Sequence, residues 1–476
     1  MNTLQHYING QWVASALQGP RFEVVNPANE QVVALIDMGG EAEANAAVAA
    51  AKAAFPAYAA TSLAERIGHV QRLLAVFERR YDEMVAAITT EMGAPHDLSR
   101  NSQAECGPGH LKATLAAAER MAWEQRSGSA GELVHEPVGV CVLITPWNWP
   151  MNQVAAKVAP ALLAGCTVVL KPSEQSPLSA QLFAEFVHEA ALPKGVFNLV
   201  FGTGPVVGNV LSAHPDVDMV SFTGSTRAGV QVAKNAADTV KRVHQELGGK
   251  SPNIIFADAD LEAAVKRGVW HCFNNTGQSC NAPTRMLVEE SVYARAVELA
   301  VAAGAKVKVG DPALPGPHIG PLASRMQFDK VQACIQRGID EGARLVLGGL
   351  GRPEGFSQGF YVKPTIFADV NNQMFIAREE IFGPVLVMIP FRTVDEAVDI
   401  ANDTPYGLAA YVQTQDRDKA VAVARRLRVG MVSLNGRGQD YESPFGGYKQ
   451  SGNGREWGEW GLHDFLEVKV INGFHA

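Results

Sequence analysis

The sequence predicts an α/β chain with two parallel sheets and a small additional β element. From about residue 138 onward, short continuous apolar runs such as Thr167-Val168-Val169-Leu170 alternate with segments of helical spacing. Strands of that kind belong to parallel sheets covered by helices on both faces. The alternation occurs as two successive series, and 476 residues are too many for one ordinary core, so two or three domains are expected.

The elements follow in order. Residues 7–36 alternate apolar and polar around the turn signals Asn9-Gly10, Gly19-Pro20 and Asn26-Pro27, which predicts short antiparallel strands. Residues 41–122 are alanine-rich and carry helical spacing at Leu63, Ile67, Val70, Leu73, Leu74 and Phe77, which predicts a helical layer. Residues 131–143 read as strand, turn, strand. The first βα series then has strands at 138–144, 167–170, 196–200 and 219–222, with 253–256 as one more. Its helices fall at 152–163, 178–190, 205–212 and 226–237. The second series has helices near 261–273, 291–304, 324–341, 394–401 and 416–427, and strands at 285–288, 361–366, 385–390, 409–412 and 431–434. The last segment, 466–472, alternates and would be a free edge strand if left unpaired.

Bulk properties narrow the function. Hydrophobic residues make up 47% and charged residues 19%, the balance of a well-buried globule. A net charge of -8 without a basic tract gives no electrostatic footprint for nucleic acid or for an anionic membrane surface. The six cysteines are scattered with no CxxC pair, which argues against a disulfide framework or a zinc site and suits a reducing cytoplasm. The start of the chain lacks the basic and apolar pattern of a signal peptide, and no apolar run would span a bilayer. No cluster of His, Cys and Asp suggests a metal.

Several short stretches carry chemistry. Cys280 stands in Gly277-Gln278-Ser279-Cys280-Asn281, on a polar turn between a helix-like run and the strand-like run from Met286. Most free cysteines are merely small buried apolar residues, but one at such a junction can face a cleft, with a reactivity set by how its surroundings favour the thiolate. Phe222-Thr223-Gly224-Ser225-Thr226 ends a strand and opens a helix, where backbone N–H groups can hold a phosphate oxygen. It is not a GxGxxG fingerprint, yet Gly202-Thr203-Gly204 makes a second glycine turn in the same series. Lys171-Pro172-Ser173-Glu174 offers a cation and a carboxylate to a ribose, and the carboxylate would repel a 2′-phosphate. Glu246, beside Gly248-Gly249, reads as a loop carboxylate able to take a proton from water. Pro146-Trp147-Asn148-Trp149-Pro150 is a stiff aromatic turn whose amide could donate to an oxyanion. Each has a plainer reading as a turn, a solvated loop or a core corner.

Taken in order, Pro146-Trp147-Asn148, Lys171-Pro-Ser-Glu174, Phe222-Thr-Gly-Ser225, Glu246-Leu-Gly-Gly-Lys250, Gly277-Gln-Ser-Cys280, Glu380-Ile-Phe-Gly-Pro384 and Pro444-Phe-Gly-Gly-Tyr-Lys449 resemble the NAD(P)-dependent aldehyde dehydrogenase superfamily, from about Tyr7 to Val470. The resemblance implies Cys280 as nucleophile, Glu246 as general base, and Asn148 with the Cys280 N–H as an oxyanion hole. Lys171 and Glu174 would hold the adenine ribose, Ser225 the pyrophosphate and Glu380 the nicotinamide ribose. Phe382 would pack nearby, and Ile144, Trp147, Gly204, Thr223 and Gly224 would complete the cofactor contacts. Lys157 and Glu456 match a proton-relay pair. Trp149, Ser279, Asn281 and Phe445, with the loop 436–441, would bear on substrate choice. In that loop Arg437 could favour an aldehyde carrying a carboxylate, although a surface arginine is the plainer reading.

The implied architecture is a Rossmann-like parallel-sheet cofactor domain over 1–124 and 138–250 and an α/β catalytic domain over 251–445. A β oligomerisation element would join 125–137 to 446–476, in a homodimer or homotetramer whose tail strand pairs with a partner subunit's sheet. The implied reaction is cytoplasmic, NAD-dependent oxidation of a small aldehyde through a thiohemiacetal and a thioester, with NADP as a possible substitute. One rival is a CoA-acylating enzyme, against which Glu246 argues. Others are a non-catalytic binding protein of the same fold, against which Cys280, Glu246 and Asn148 together argue, and a thiol-free reductase.

Overall fold

A computed structural model describes residues 2–16, 21–128 and 130–474. The Gly19-Pro20 turn lies outside the described residues.

The first sheet has eight strands in the order Gly452–Asn453, Arg242–Glu246, Met219–Thr223, Val140–Ile144, Thr167–Lys171, Phe197–Leu199, His6–Ile8 and Gln11–Val13. Arg242–Glu246 through Phe197–Leu199 run parallel, and the flanking pairs are antiparallel. Val140–Ile144, Thr167–Lys171 and Met219–Thr223 are buried at every residue, which is why they read as continuous apolar runs. The helix Pro150–Ala164 is buried at all but Asn152; Pro150 opens it at a position that needs no N–H donor, and Gly165, at φ 97°, closes it.

The second sheet has seven strands in the order Arg344–Leu347, Thr365–Ala368, Val385–Phe391, Arg285–Glu289, Pro252–Ile255, Ala409–Gln413 and Met431–Leu434, all parallel except the antiparallel edge Arg344–Leu347. A third, antiparallel sheet joins Leu466–Asn472 to Gly131–Pro137 and Glu124–Ser127. One edge of the tail strand is therefore taken by its own chain.

Three expectations change. The strand expected at 253–256 is Pro252–Ile255 in the second sheet, between Arg285–Glu289 and Ala409–Gln413, so it does not extend the first series. The first sheet instead gains Arg242–Glu246, where the sequence predicts a loop. Its four polar side chains hide the strand; Arg242 donates to the Asp464 and Leu466 carbonyls and pairs with Glu467, Gln245 donates to the Gly229 carbonyl, and His244 bonds Asp464. At the N-terminus, Asn2–Leu4 pairs in parallel with Val32–Ile36, while the neighbouring pairs are antiparallel as expected.

Candidate active site

Cys280 follows the helix Leu261–Phe273 and the tight turn Asn274–Gly277, and precedes Arg285–Glu289. Asn275, Thr276 and Gly277 adopt φ of 52°, 55° and 72°, a left-handed run that costs a β-branched threonine most. Surrounding bonds hold it there. Asn275 Nδ2 donates to the Asn148 carbonyl at 3.0 Å, Gln103 Nε2 donates to Asn275 Oδ1 at 3.2 Å, and Thr276 Oγ1 donates to the Gly320 carbonyl at 3.0 Å. Asn148 in turn gives one amide hydrogen to the Gln278 carbonyl at 3.0 Å. Its other hydrogen remains for the cleft that Asn148 and Cys280 both line.

That cleft measures about 190 Å³ and takes one wall from each half of the chain. Thr223, Gly224, Ser225 and Glu246 come from the carboxyl ends of first-sheet strands; Cys280, Glu380 and Phe382 come from the segments that enter second-sheet strands. Ser225 caps the helix Thr226–Ala236, accepting from the Ala228 N–H at 3.3 Å. Trp147 and Phe382 meet edge to face, with centroids 5.5 Å apart. Glu380 accepts from the Gly249 N–H at 3.0 Å. Ile144, Lys171, Glu174 and Gly204 do not line this cleft. They continue its row along the sheet: Ile144 pairs with Phe222 on one side and Lys171 on the other, and Gly204 follows Phe197–Leu199. Lys171 Nζ lies 3.7 Å from Glu174 Oε2 and donates to the Pro172 carbonyl at 3.0 Å. Gln153, Gln327 and Lys330 also line the cleft and carry no sequence signal, because each sits on a helix whose face cannot be known before the fold.

Of the acids of the cleft, Glu246 is buried and Glu380 partly so. Burial raises Glu246 to about 7, against the opposing pull of His244. Burial likewise raises Glu380 to about 7, against the Gly249 N–H. Burial pushes the Cys280 thiol far up, and the Glu380 and Glu246 carboxylates add to it. Lys157 is fully buried and bonds Glu456 and the Ser221 hydroxyl, so the two residues expected as a relay pair are in contact, and both act electrostatically on Glu246.

A second cavity, of about 280 Å³, meets the cleft at Cys280 and Gln153. Trp149, Ser279, Asn281 and Phe445 line it, as the resemblance implies, and Trp149 Nε1 donates to Ser279 Oγ at 2.8 Å. Gln439 and Tyr441 of the loop 436–441 line it too, and Asn101, Cys106 and Trp457 join them without any local motif to reveal them. Arg437 does not reach this cavity: it is exposed and borders a separate surface recess with Met431, Ser433 and Ser443. This position fits the plainer reading of a surface arginine.

Comparison with known proteins bears on this arrangement directly. The model of the aldehyde dehydrogenase family matches residues 12–471. A 3-succinoylsemialdehyde-pyridine dehydrogenase from a Pseudomonas species is 53% identical over 474 residues, covering 99% of both chains. The crystal structure of an aldehyde dehydrogenase from Bartonella henselae superposes with a TM-score of 0.97 at 51% identity, covering 99% of this chain and 100% of that one. Aldehyde dehydrogenase C from Pseudomonas syringae, a mutant solved with NAD+ and octanal, superposes with a TM-score of 0.97 at 52% identity, covering 99% and 97%. With matches that run almost end to end, the chain belongs to the aldehyde dehydrogenase family, oxidoreductases that act on aldehydes.

Proposed function

We propose that this chain oxidises an uncharged aldehyde to its carboxylic acid with NAD. The observation that carries the reading is the pairing of a thiol, Cys280, with a buried carboxylate, Glu246, on the walls of one cleft.

The cleft suits a dinucleotide by its own atoms. Thr223 Oγ1 and Gln153 Oε1 are buried on its walls without a protein partner. The capped N-terminus of Thr226–Ala236 offers N–H groups to a pyrophosphate. Glu380 stands where a ribose hydroxyl could donate to it, and Glu174 and Lys171 extend the row toward a second ribose, the carboxylate disfavouring NADP. When bound, NAD supplies the hydride acceptor.

The chain's own residues do the rest. Cys280, as thiolate, adds to the aldehyde carbon and forms a thiohemiacetal. The free amide hydrogen of Asn148 and the Cys280 N–H stabilise its oxyanion, each worth about 2.7–4 kcal/mol in comparable sites. Oxidation leaves a thioester on Cys280. Glu246 takes a proton from water, the water oxygen bonds to the thioester carbon, and the Cys280 sulfur leaves as the acid forms. Lys157 and Glu456 lie behind Glu246 to share the proton. This role of Glu246 favours water over CoA as the acyl acceptor.

The second cavity supports the substrate class. Trp149, Tyr441, Phe445 and Trp457 give it aromatic walls, and among the described residues no Lys, Arg, Asp or Glu lines it. One relative is named a 3-succinoylsemialdehyde-pyridine dehydrogenase and another was solved with octanal. We further propose that the chain forms a homodimer or homotetramer through 125–137 and 446–476, around cofactor-binding and catalytic parts over 1–124 with 138–250 and over 251–445, and that it works in the cytoplasm.

The test is the absorbance of reduced nicotinamide formed with aliphatic, aromatic and carboxylate-bearing aldehydes, in wild type and Cys280→Ala, with NAD and NADP and with or without CoA. Turnover of the neutral aldehydes with NAD, independent of CoA and abolished in Cys280→Ala, is expected. Equal turnover in the two proteins would remove the thiol mechanism.

A further inference from the structure

The base Glu246 has a neighbour that the mechanism above does not use. His244 lies two residues before it on the strand Arg242–Glu246, so both side chains leave the same face. The imidazole is 4% exposed and has carboxylates on three sides. Its Nδ1 bonds Asp464 on the helix Gly458–Asp464; its Nε2 lies 3.5 Å from Glu246 Oε1 and 4.0 Å from Glu456 Oε1. Asp464 is the outer member of this row, with its side chain 27% exposed, whereas Lys157 and Glu456 behind the base are buried.

The backbone around the row is cut to fit it. Gly454 stands at φ 76°, and a Cβ there would lie 2.5 Å from His244 Nδ1 and 2.9 Å from Asp464 Oδ2. Gly446 stands at φ 150°, and a Cβ there would lie 2.5 Å from Glu246 Oε1. Neither oxygen of Glu246 has a hydrogen-bond partner, and it is 2% exposed. A carboxylate so placed gains a proton unless a cation stands close by. The charged and titratable groups around it are His244, Glu456, Lys157 and the Cys280 thiol. Two of these favour a proton on Glu246, and the Lys157 ammonium is already bonded to Glu456. His244 is the cation left to serve Glu246.

We propose that His244, held as an imidazolium by Asp464, is the positioning residue that keeps the Glu246 carboxylate ionised for its work as base. The role rests on the reading of Glu246 given above. It agrees with the titration of the ring: burial alone would lower His244, but Asp464, Glu246 and Glu456 outweigh it and raise it to about 9. Removing the imidazole leaves burial and Glu456 acting on Glu246 toward the neutral acid, opposed by Lys157, whose ammonium is bonded to Glu456.

The full-length chain tests this as wild type, His244→Gln and Asp464→Asn, with Glu246→Gln to assign the signal. pH-difference infrared spectra report the protonated carboxyl band lost in Glu246→Gln. Its midpoint is expected to move up by about 1–3 pH units in His244→Gln, the range for losing one opposite charge at this distance, and by less in Asp464→Asn. The acid limb of thioester hydrolysis should move with it, so that the variant recovers the wild-type rate at alkaline pH. A midpoint unmoved in both variants, or an activity loss equal at every pH, would overturn the role. A midpoint that moves in a chain that oxidises no aldehyde would leave His244 in this role toward the acid and remove the functional reading instead.

Discussion

At the scale of single residues, burial moves three groups of the cleft, Cys280, Glu246 and Glu380, above their ordinary titration ranges. The Cys280 thiol is held up by burial and then by two carboxylates, so neutralising one should release it. Glu380→Gln is expected to speed alkylation of Cys280 several-fold at a fixed pH near 8, measured by the rate of thiol loss with iodoacetamide. No change would mean that Glu380 does not act on the thiol. Glu380 also bears on stability. Its carboxyl is raised from 4.5 to about 7, so its contribution is full below the unfolded value and is lost as pH rises through about 7. Glu380→Gln should therefore melt higher than wild type at pH 8, and the difference should narrow toward pH 5, read by calorimetry. Cys280, Asn148 and Glu246 were legible because each sits in a short stretch dense with turn residues. His244 and Asp464 were not, since a histidine in a strand and an aspartate 220 positions away have no local pattern joining them.

At the scale of elements, the turn before Cys280 is packed backbone to backbone against the segment that carries Glu380 and Phe382. A Cβ on Gly277 would fall 2.1 Å from the Gly383 carbonyl oxygen, in a residue already at φ 72°. Gly277→Ala is expected to cost about 1–3 kcal/mol in denaturant unfolding and to weaken NAD binding together with thiol reactivity, since it parts both walls. Loss of thiol reactivity with NAD binding intact would mean that the walls move independently. The apolar strands of both series were legible from composition alone. Arg242–Glu246 was not, because strand signals come from apolar periodicity, and this strand carries four polar side chains whose bonds run to Asp464, the Leu466 carbonyl, Glu467 and the Gly229 carbonyl, all distant in sequence or outside any local pattern. The assignment of Pro252–Ile255 to a sheet failed for a related reason: a run of four buried residues says strand, but not which neighbours it takes.

At the scale of the whole molecule, the carboxyl end of one sheet meets the entering segments of the other, and that junction makes the site. The third sheet lies apart from it and ends in Leu466–Asn472, with Val468 61% and Val470 51% exposed on an edge. Val470→Asp is expected to lower the assembly's mass in light scattering if that edge joins subunits, and an unchanged mass would move the contact elsewhere. The two cavities share only Cys280 and Gln153 among their linings. That near-separation has an evolutionary consequence. Asn101, Ser102, Gln439 and Tyr441 can drift, duplicate lineage by duplicate lineage, without disturbing the residues that hold the dinucleotide. A library randomised at those four positions should yield descendants with altered aldehyde preference and an unaltered Michaelis constant for NAD, so new diets would come at the far end of the tunnel while the oxidising end stays inherited.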